Sequence, residues 1–259
     1  MKIKLIAAFC LGGFFLTGCA TVDGPADPED PFESYNRSMD AFNNEVDRYV
    51  LKPVAQGYDA VTPKPVQKGV SNFFSNLDDV VVIFNDLLQL KLGQLASDTG
   101  RLVINSTVGL FGLIDWASDI GLKKHNEDFG QTLGYWGIPS GPYLILPLLG
   151  PSTIRDTGGL IADSSYLDPI DNEIEEKWRY PSRDSSTSTG LTIVKIIDKR
   201  AGLLKAEGVV DEAALDRYIY IRDAFLQKRE NLVYDGKPPQ AGAGAEQDGQ
   251  TAEDDIFED

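Results

Sequence analysis

The sequence has little of the chemistry that metal sites and many enzymes need. Among its 259 residues there are two cysteines and one histidine. The usual zinc sites take two or more histidine or cysteine ligands, and this chain is too poor in both to supply them. It also lacks a Gly-x-x-x-x-Gly-Lys-Ser/Thr loop, so it has no evident means of using ATP. We therefore expect neither a metal nor a nucleotide cofactor.

Basic residues are scarce as well. Lysine and arginine number 24 against 40 aspartates and glutamates, which gives a formal net charge of −16. Proteins that bind nucleic acid neutralise its phosphates with lysine and arginine, so this balance argues against nucleic acid as a partner. It argues equally against electrostatic binding to anionic lipid. Contact with a membrane must therefore come from apolar side chains or from a covalently attached lipid.

The first nineteen residues have the organisation of a bacterial lipoprotein signal. Two lysines precede an almost wholly apolar run of about twelve residues, Leu5 to Leu16, which suits a signal peptide and is too short to span a bilayer. The sequence Leu16-Thr17-Gly18-Cys19 fits a lipobox. It predicts that residues 1–18 are removed and that Cys19 becomes the lipid anchor. The alternative is an ordinary secretory signal followed by a chance cysteine.

Acylation of Cys19 would have consequences for the rest of the chain. Cys10 leaves with the signal peptide, so the mature chain would have no thiol for a disulfide, a metal site or nucleophilic catalysis. Its charge would become −18, from 22 basic and 40 acidic residues. Each buried acyl methylene contributes about 0.8 kcal/mol, so two or three acyl chains make a permanent anchor. Because Ala20 and not an aspartate follows the anchor, we expect the outer membrane as the destination.

The remainder divides into a tether, one helical domain and a tail. Residues 19–31 contain three prolines among polar residues and predict a stiff tether. Residues 32–235 carry apolar residues at helical spacing and predict the folded domain. Residues 236–259 predict a disordered tail, because the last twenty residues hold seven acidic residues and no basic one.

The clearest predicted helix follows Asp30, which is placed to cap it. Its apolar residues recur at steps of three and four, and this stripe fits the core of a soluble bundle at least as well as a membrane surface. The residues of the stripe are Phe32, Tyr35, Met39, Phe42, Val46 and Tyr49. Further helices are predicted at about residues 66–77, 80–92, 93–108, 114–120, 191–205 and 211–233, with a Ser/Thr-rich linker at Pro181–Gly190.

The most informative segment is Phe129 to Ile154, a run of 26 residues without a formal charge. As a helix it would be long enough to cross a hydrocarbon core of about 30 Å. Four prolines and five glycines within it exclude one continuous helix. Irregular backbone survives in lipid only where protein buries it or where it lines a cavity. The segment therefore predicts an apolar loop or hairpin packed on helices, and the alternative is a buried loop in a soluble core.

Evidence for catalysis is sparse. His125 is the only histidine, and its position in a run of charged residues is typical of a solvated side chain. Carboxylates such as Asp163, Asp168 and Asp171 leave a glycosidase-like pair open, although nothing in the sequence marks any two of them as partners. Three hypotheses follow: a lipid-translocating protein, a lipid-anchored scaffold without transport activity, and a hydrolase that uses His125 or a carboxylate pair.

Several short blocks, in a fixed order, give the chain a family resemblance. It resembles the VacJ/MlaA-type outer-membrane lipoproteins from about Asp30 to Gly159, and the later helices up to Tyr234 also fit. The blocks are Asp30-Pro31-Phe32-Glu33-Ser34-Tyr35-Asn36-Arg37, Phe42-Asn43, Leu51-Lys52-Pro53-Val54-Ala55, residues 69–77, residues 128–134, Gly141-Pro142-Tyr143, and Leu146-Pro147 through Gly150-Pro151-Ser152 to Arg155-Asp156.

The resemblance implies an all-α fold, with a single ring-shaped helical domain embedded in the periplasmic leaflet of the outer membrane. It implies a non-enzymatic function, in which mislocalised phospholipids are removed from the outer leaflet through an amphipathic channel and passed to a periplasmic lipid carrier protein. Trimeric porins are the implied partners in the membrane. Phospholipid would be the transported ligand, and no cofactor is implied beyond the acyl anchor on Cys19.

The resemblance also places an apolar, Gly/Pro-rich hairpin loop beside the channel, within Phe129 to Pro151. We expect six residues to form this hairpin or the lipid path: Tyr143, Leu144, Ile145, Leu146, Leu148 and Leu149. Arg155 and Asp156 follow the loop and match the family motif. For these two residues a structural ion pair, a helix cap and a headgroup contact all remain open.

Overall fold

The computed structural model describes residues 30–164, 185–213 and 216–239. Most of these residues are helical, and one two-stranded antiparallel sheet interrupts the helices. The elements are α1 (Glu33–Val46), a π-helical turn (Asp47–Leu51), α2 (Lys52–Val61), α3 (Lys64–Leu88), α4 (Leu92–Thr107), α5 (Trp116–Asp119), α6 (Phe129–Tyr135), β1 (Tyr143–Leu146), β2 (Gly150–Thr153), α7 (Ile154–Ala162), α8 (Ser185–Ala213) and α9 (Arg217–Val233).

The prediction of a mainly helical domain is confirmed, while the all-α description is too narrow because of β1 and β2. The ring shape and the setting in a membrane leaflet stay predictions. Within the described residues, none of the helices combines the length and the apolar character that crossing a membrane requires. The signal peptide, Cys19 and the last twenty residues lie outside the described ranges.

α3 corrects the prediction of two helices at about 66–77 and 80–92. It is one continuous helix from Lys64 to Leu88, and Asp78 and Asp79 lie in its middle. Adjacent carboxylates do not break it because each has a cationic partner from elsewhere in the fold: Lys195 lies 2.6 Å from Asp78, and Lys124 pairs with Asp79. Periodicity within one segment carries no information about such partners.

The boundaries near the C-terminus also differ from those predicted. α8 begins at Ser185, inside the predicted linker, and continues to Ala213. Serine and threonine have only slightly unfavourable helix propensities. The stronger helix formers that follow can therefore extend α8 towards its N-terminus through these residues. α9 begins at Arg217, since the Asp216 carboxylate accepts hydrogen bonds from the N–H groups of Tyr218 and Ile219, at 2.9 and 3.3 Å. α2, α6 and α7 have no counterpart among the predicted helices, and α6 occupies the first residues of the segment predicted as a loop or hairpin.

Asp30 does not cap α1, because the residue before that helix is Phe32 and its side chain makes no capping hydrogen bond. The Asp30 carboxylate is instead buried and accepts hydrogen bonds from Tyr218 and Arg222 of α9. Asp30 is the first described residue, and its carboxylate joins the segment before α1 to α9.

An apolar cluster lies between α1, the hairpin and α9. Tyr143 of β1 is at its centre, with ring centroids 6.2 Å from Tyr218 and 6.0 Å from Phe225. Met39, Ile145 and Leu226 complete the cluster. Of the predicted α1 stripe only Met39 is buried, and most of the other stripe residues are exposed. That distribution is reversed from the one expected of a helix in a soluble bundle.

Candidate functional site

Polar residues are buried and apolar residues are exposed over much of the described chain. Eighteen polar or charged residues are buried there, against nine hydrophobic ones. Large apolar side chains are exposed on most of the helices and at the hairpin tip. In a water-soluble domain the buried side chains are mainly apolar. This reversal suits a protein whose outer surface contacts an apolar medium and whose interior is polar.

The antiparallel pair α3–α4 shows the reversal most clearly. On α3, Asp79 and Asp86 are 1% and 0% exposed, while Phe84 and Leu87 are 40% and 50% exposed. α4 follows the same pattern, since Asp98, Arg101 and Asn105 face inwards and Leu92 and Val103 face outwards. Both helices therefore present a polar stripe to the interior and an apolar stripe to the outside.

The hairpin β1–β2 contains all six residues predicted for the lipid path. The strands pair antiparallel, with Tyr143 opposite Thr153 and Leu146 opposite Gly150. Tyr143 and Ile145 point into the apolar cluster, while Leu144 and Leu146 occupy the other face and are half-buried.

The tip of the hairpin is exposed and tightly turned. Leu148 is 62% exposed and Leu149 is 68% exposed. The φ angle of Leu148 is +64°, in the left-handed region that a side chain with a Cβ seldom adopts, and Gly150 follows at +84°. The structure thus separates the six residues into a buried framework and an exposed leucine pair. Their contact with lipid stays a prediction.

Two asparagines of α1 hold the outer edge of β1. The Asn36 amide donates to the Tyr143 carbonyl at 3.0 Å and accepts from the Ile145 N–H at 2.8 Å. The Asn43 amide donates to the Leu146 carbonyl at 2.9 Å and accepts from the Leu148 N–H at 2.7 Å. Each side chain therefore provides the donor and acceptor that a third strand would otherwise provide.

The spacing of the two asparagines matches the strand they hold. Seven residues of α-helix rise about 10.5 Å, and three residues of strand, from Tyr143 to Leu146, rise about 10 Å. Asn36 belongs to the first family block and Asn43 to the second, but their partners lie more than 100 residues away along the chain. Reasoning from the sequence alone did not identify this role. The recurrence of asparagine at a spacing of seven was the available signal.

The two ends of the hairpin segment are joined by an arginine from α9. Arg229 contacts Asp128 at 2.6 and 2.9 Å and Asp156 at 2.8 and 2.9 Å. Asp128 also caps α6 through the N–H of Gln131. Burial alone would raise the pKa of Asp128, but the hydrogen bonds and charge of Arg229 outweigh it and hold the pKa below its ordinary value. The segment between Asp128 and Asp156 is therefore fixed at both ends.

Arg155 and Asp156 form an ion pair at 3.0 Å in which both side chains are buried. This geometry supports the structural alternative among those left open by the sequence. Nearby, α6 and α7 touch at two glycines: a Cβ on Gly159 would lie only 2.3 Å from the backbone nitrogen of Gly130. The helices flanking the hairpin thus depend on one arginine and on this close backbone contact.

The candidate catalytic groups have structural partners. His125 is not simply solvated as predicted, because its Nδ1 lies 2.7 Å from the buried carboxylate of Asp98. Asp163 accepts hydrogen bonds from the Phe129 N–H at 2.8 Å and from Asn85 at 3.3 Å. Burial raises the pKa of Asp163 to about 6. Asp168 and Asp171 lie outside the described residues.

His125 also lines a polar cavity of about 350 Å³. The other lining residues include Gln94, Lys124, Glu127 and Asp235. No serine, threonine or cysteine is among the described residues that line it. The cavity consequently offers the histidine no hydroxyl or thiol nucleophile of the kind that a hydrolase would use.

Comparison with known proteins gives concordant matches at the levels of family, sequence and structure. The family model described as MlaA lipoprotein matches residues 28–232. The chain is 34% identical over 262 residues to the intermembrane phospholipid transport system lipoprotein MlaA of Escherichia coli K12, covering 99% of this chain and 98% of that protein. The protein of the same name from Haemophilus influenzae is 33% identical over 243 residues, covering 92% of this chain and 93% of the relative.

The fold is also similar to a solved structure described as the structural basis for maintenance of bacterial outer membrane lipid asymmetry. The TM-score is 0.66 at 34% sequence identity, and the match covers 79% of this chain and 98% of the other. The sequence and structure matches both extend over most of the described domain. The family match over residues 28–232 includes the sequences of α1, the hairpin and the α3–α4 pair.

Proposed function

Because the chain belongs to the MlaA lipoprotein family, we propose that it removes mislocalised phospholipids from the outer leaflet of the outer membrane and passes them to a periplasmic lipid carrier. In this proposal Cys19 carries the lipid anchor, and the domain is a ring set in the periplasmic leaflet. A trimeric porin is the proposed membrane partner. The protein acts without covalent chemistry on the lipid.

The reversed distribution of polar and apolar residues carries this proposal. A phospholipid with two acyl chains has about 30 methylenes, so exposing them to water would cost on the order of 25 kcal/mol at about 0.8 kcal/mol each. A transporter lowers this barrier when the headgroup meets polar groups while the tails stay in apolar contact. The inward polar stripe and outward apolar stripe of α3 and α4 have the chemistry for both requirements.

The hairpin is the proposed element beside the lipid path. Its exposed tip, Leu148 and Leu149, offers apolar surface, and Asn36 and Asn43 fix the strand that leads to it. A framework held at its base and apolar at its end can guide acyl chains without binding any one lipid tightly. The hydrolase hypothesis has less support, since His125 and Asp163 both have structural partners.

Surface-exposed phospholipid, measured in a strain that lacks this protein, tests the proposal. We expect the level to rise on deletion and to fall when the wild-type chain is restored. Cys19→Ala and Leu149→Asp should fail to restore it, because the first removes the anchor and the second places a charge at the apolar tip. Leu149→Ile is the matched control and should restore it. An unchanged level in all strains, with a porin still co-purifying, would favour the scaffold hypothesis.

Contact of the α3 surface with acyl chains can be measured separately in vesicles. In a chain whose three native tryptophans are replaced by phenylalanine, a tryptophan at Leu87, on the outward face of α3, should be quenched by lipids brominated on their acyl chains. The matched control is Lys228→Trp, at an exposed position on the charged face of α9, and it should be quenched much less. Equal quenching at the two positions would contradict a membrane role for the apolar stripe.

His125→Ala tests the hydrolase hypothesis in the same strain. We expect this variant to keep lipid removal, because the proposed mechanism has no proton-transfer step on the substrate. Loss of lipid removal in a folded His125→Ala protein, together with released fatty acid in the wild type, would favour hydrolysis over transport.

A further inference from the structure

Four buried carboxylates lie together between α3, α4 and the loop that joins α5 to α6. They are Asp79, Asp86, Asp98 and Glu127, and none is more than 7% exposed. Three of the four have a basic partner: Lys124 pairs with Asp79, Lys91 lies 3.0 Å from Glu127, and His125 lies 2.7 Å from Asp98. The side-chain carboxylate of Asp86 has no hydrogen-bond partner among the described residues.

Asp98 faces Asp86 across the packed interface between α3 and α4, and of the charged groups around Asp86 it acts most strongly on that carboxylate. Both oxygens of Asp86 and the Oδ1 atom of Asp98 are buried and receive no N–H or O–H from the described residues. Two ionised carboxylates in such a site would repel each other and would each lack a donor. One proton placed between them removes the repulsion and provides the missing hydrogen bond.

We propose that Asp86 and Asp98 share one proton, and that this carboxyl–carboxylate pair is a pH-sensitive link between α3 and α4. The link has a route to solvent, since the His125 side chain is partly exposed in the polar cavity while its Nδ1 reaches Asp98. The inference concerns the packing of two helices and stands whether or not the chain moves phospholipid.

The charges around the pair determine when the proton is lost. Charged or titratable groups face the Asp86–Asp98 pair from each element packed against it. On the two helices and the turn between them these groups are Asp79 of α3, Arg101 of α4 and Lys91. The loop before α6 contributes Lys124, His125 and Glu127, and Asp163 follows α7. Arg101 is engaged by Asp115, at 3.1 and 3.2 Å. Burial and then the charges of Asp98 and Glu127 raise the pKa of Asp86 to about 7, and Lys91 opposes them in part.

The sign of the pH effect follows from this raised pKa. In the unfolded chain an aspartate titrates near pH 3.9, so the folded state holds the proton over a pH range in which the unfolded state has released it. The stabilising contribution of the pair is therefore complete below about pH 4 and is lost as the pH rises through about 7. Above that pH the α3–α4 interface contains two facing negative charges.

The test is a carboxyl ¹³C NMR titration of the full acylated chain in nanodiscs, with labelled aspartate, from about pH 5 to about pH 9. We expect one carboxyl resonance to titrate near neutral pH, and to vanish in Asp86→Asn. The same resonance should remain in Asp163→Asn. This variant is the matched control, because it replaces another buried aspartate that titrates separately. In Asp98→Asn the new amide donates to Asp86, so the acid dissociation constant of Asp86 should rise at least about tenfold.

Thermal unfolding of the same proteins gives a second measurement. The wild-type melting temperature should fall between about pH 4 and about pH 7 and change little from this source above pH 7, and Asp86→Asn should remove part of that fall. Titration of every aspartate below about pH 5 would overturn the proposal. So would an apparent pKa that drops as sodium or calcium is added, because a bound cation and not a proton would then neutralise the pair.

Discussion

Removing one asparagine amide from α1 should loosen the hairpin at its tip without unfolding the domain. In Asn43→Ala, the Leu146 carbonyl and the Leu148 N–H each lose a hydrogen bond, of 2.9 and 2.7 Å. A typical intramolecular hydrogen bond contributes about 0.5–1.5 kcal/mol net. The free energy of opening the tip should therefore fall by about 1–3 kcal/mol, which corresponds to a roughly 5- to 150-fold faster exchange of the Leu148 amide hydrogen.

Hydrogen–deuterium exchange resolved to single amides is the assay, and α1 itself provides the control. Asn44 is the next residue and its amide donates to Asp40 at 2.9 Å, within the same helix. Asn44→Ala should leave exchange at Leu148 unchanged, and exchange along α3 and α4 should be unchanged in both variants. Equal exchange at Leu148 in Asn43→Ala and in the wild type would refute the assignment of the Asn43 amide as the support of the tip.

Asn36→Ala extends the same reasoning to a buried position. Two of its partners, the Tyr143 carbonyl and the Ile145 N–H, lie in the apolar cluster and cannot turn to solvent. Each unsatisfied buried group costs about 1–3 kcal/mol, so this variant should lower the free energy of global unfolding by about 2–6 kcal/mol. A small effect in Asn36→Ala, comparable with that in Asn43→Ala, would mean that water enters the cluster and replaces the amide.

The remaining predictions concern the helices that flank the hairpin. Arg229→Met removes the cation that the partly exposed Asp128 and the buried Asp156 share, so it should destabilise the fold by about 1.5–3 kcal/mol in denaturant unfolding, and Arg229→Lys should recover part of the loss. Because Arg229 lowers the pKa of Asp128, the wild type should lose this stabilisation as the pH falls below about 4, and Arg229→Met should not. Gly159→Ala forces a Cβ to within 2.3 Å of Gly130, so it should lower the melting temperature, with a cost of at least about 1–3 kcal/mol.

Local pattern in the sequence was sufficient for most of the helices. The spacing of apolar residues that predicts α4 and α9 is a local feature of the sequence. So are the prolines and glycines that exclude one continuous helix in the uncharged segment. The same reasoning divided α3 at Asp78 and Asp79, because the lysines that neutralise them, Lys195 and Lys124, lie far away in sequence. The helical state of residues 66–88 was therefore predictable, whereas the continuity of that helix through a charged pair required tertiary contacts.

The direction in which each helix faces was the main quantity that the sequence could not supply. An amphipathic helix has one apolar face and one polar face. The spacing of its apolar residues is the same whether the apolar face packs on a core or contacts an outside medium. The α1 stripe illustrates this, since Met39 is buried while Phe42 and Tyr49 are 43% and 69% exposed. His125 posed a similar problem, because nothing near it in the chain indicates Asp98 as its partner.

The polar interior also accounts for how such a fold can hold together. If the outward faces meet acyl chains, as proposed, apolar side chains gain nothing by leaving that medium, and helix association depends on close packing and on interhelical hydrogen bonds. Both devices are present around the hairpin: Gly130 and Gly159 bring two backbones together, and Arg229 joins two helices through their carboxylates. The polar side chains that would favour a headgroup are thus the same class of groups that stabilise the domain. Function and stability should therefore be hard to separate on α3 and α4, and easier to separate at the leucine tip, which contributes little to either the apolar cluster or the polar interior.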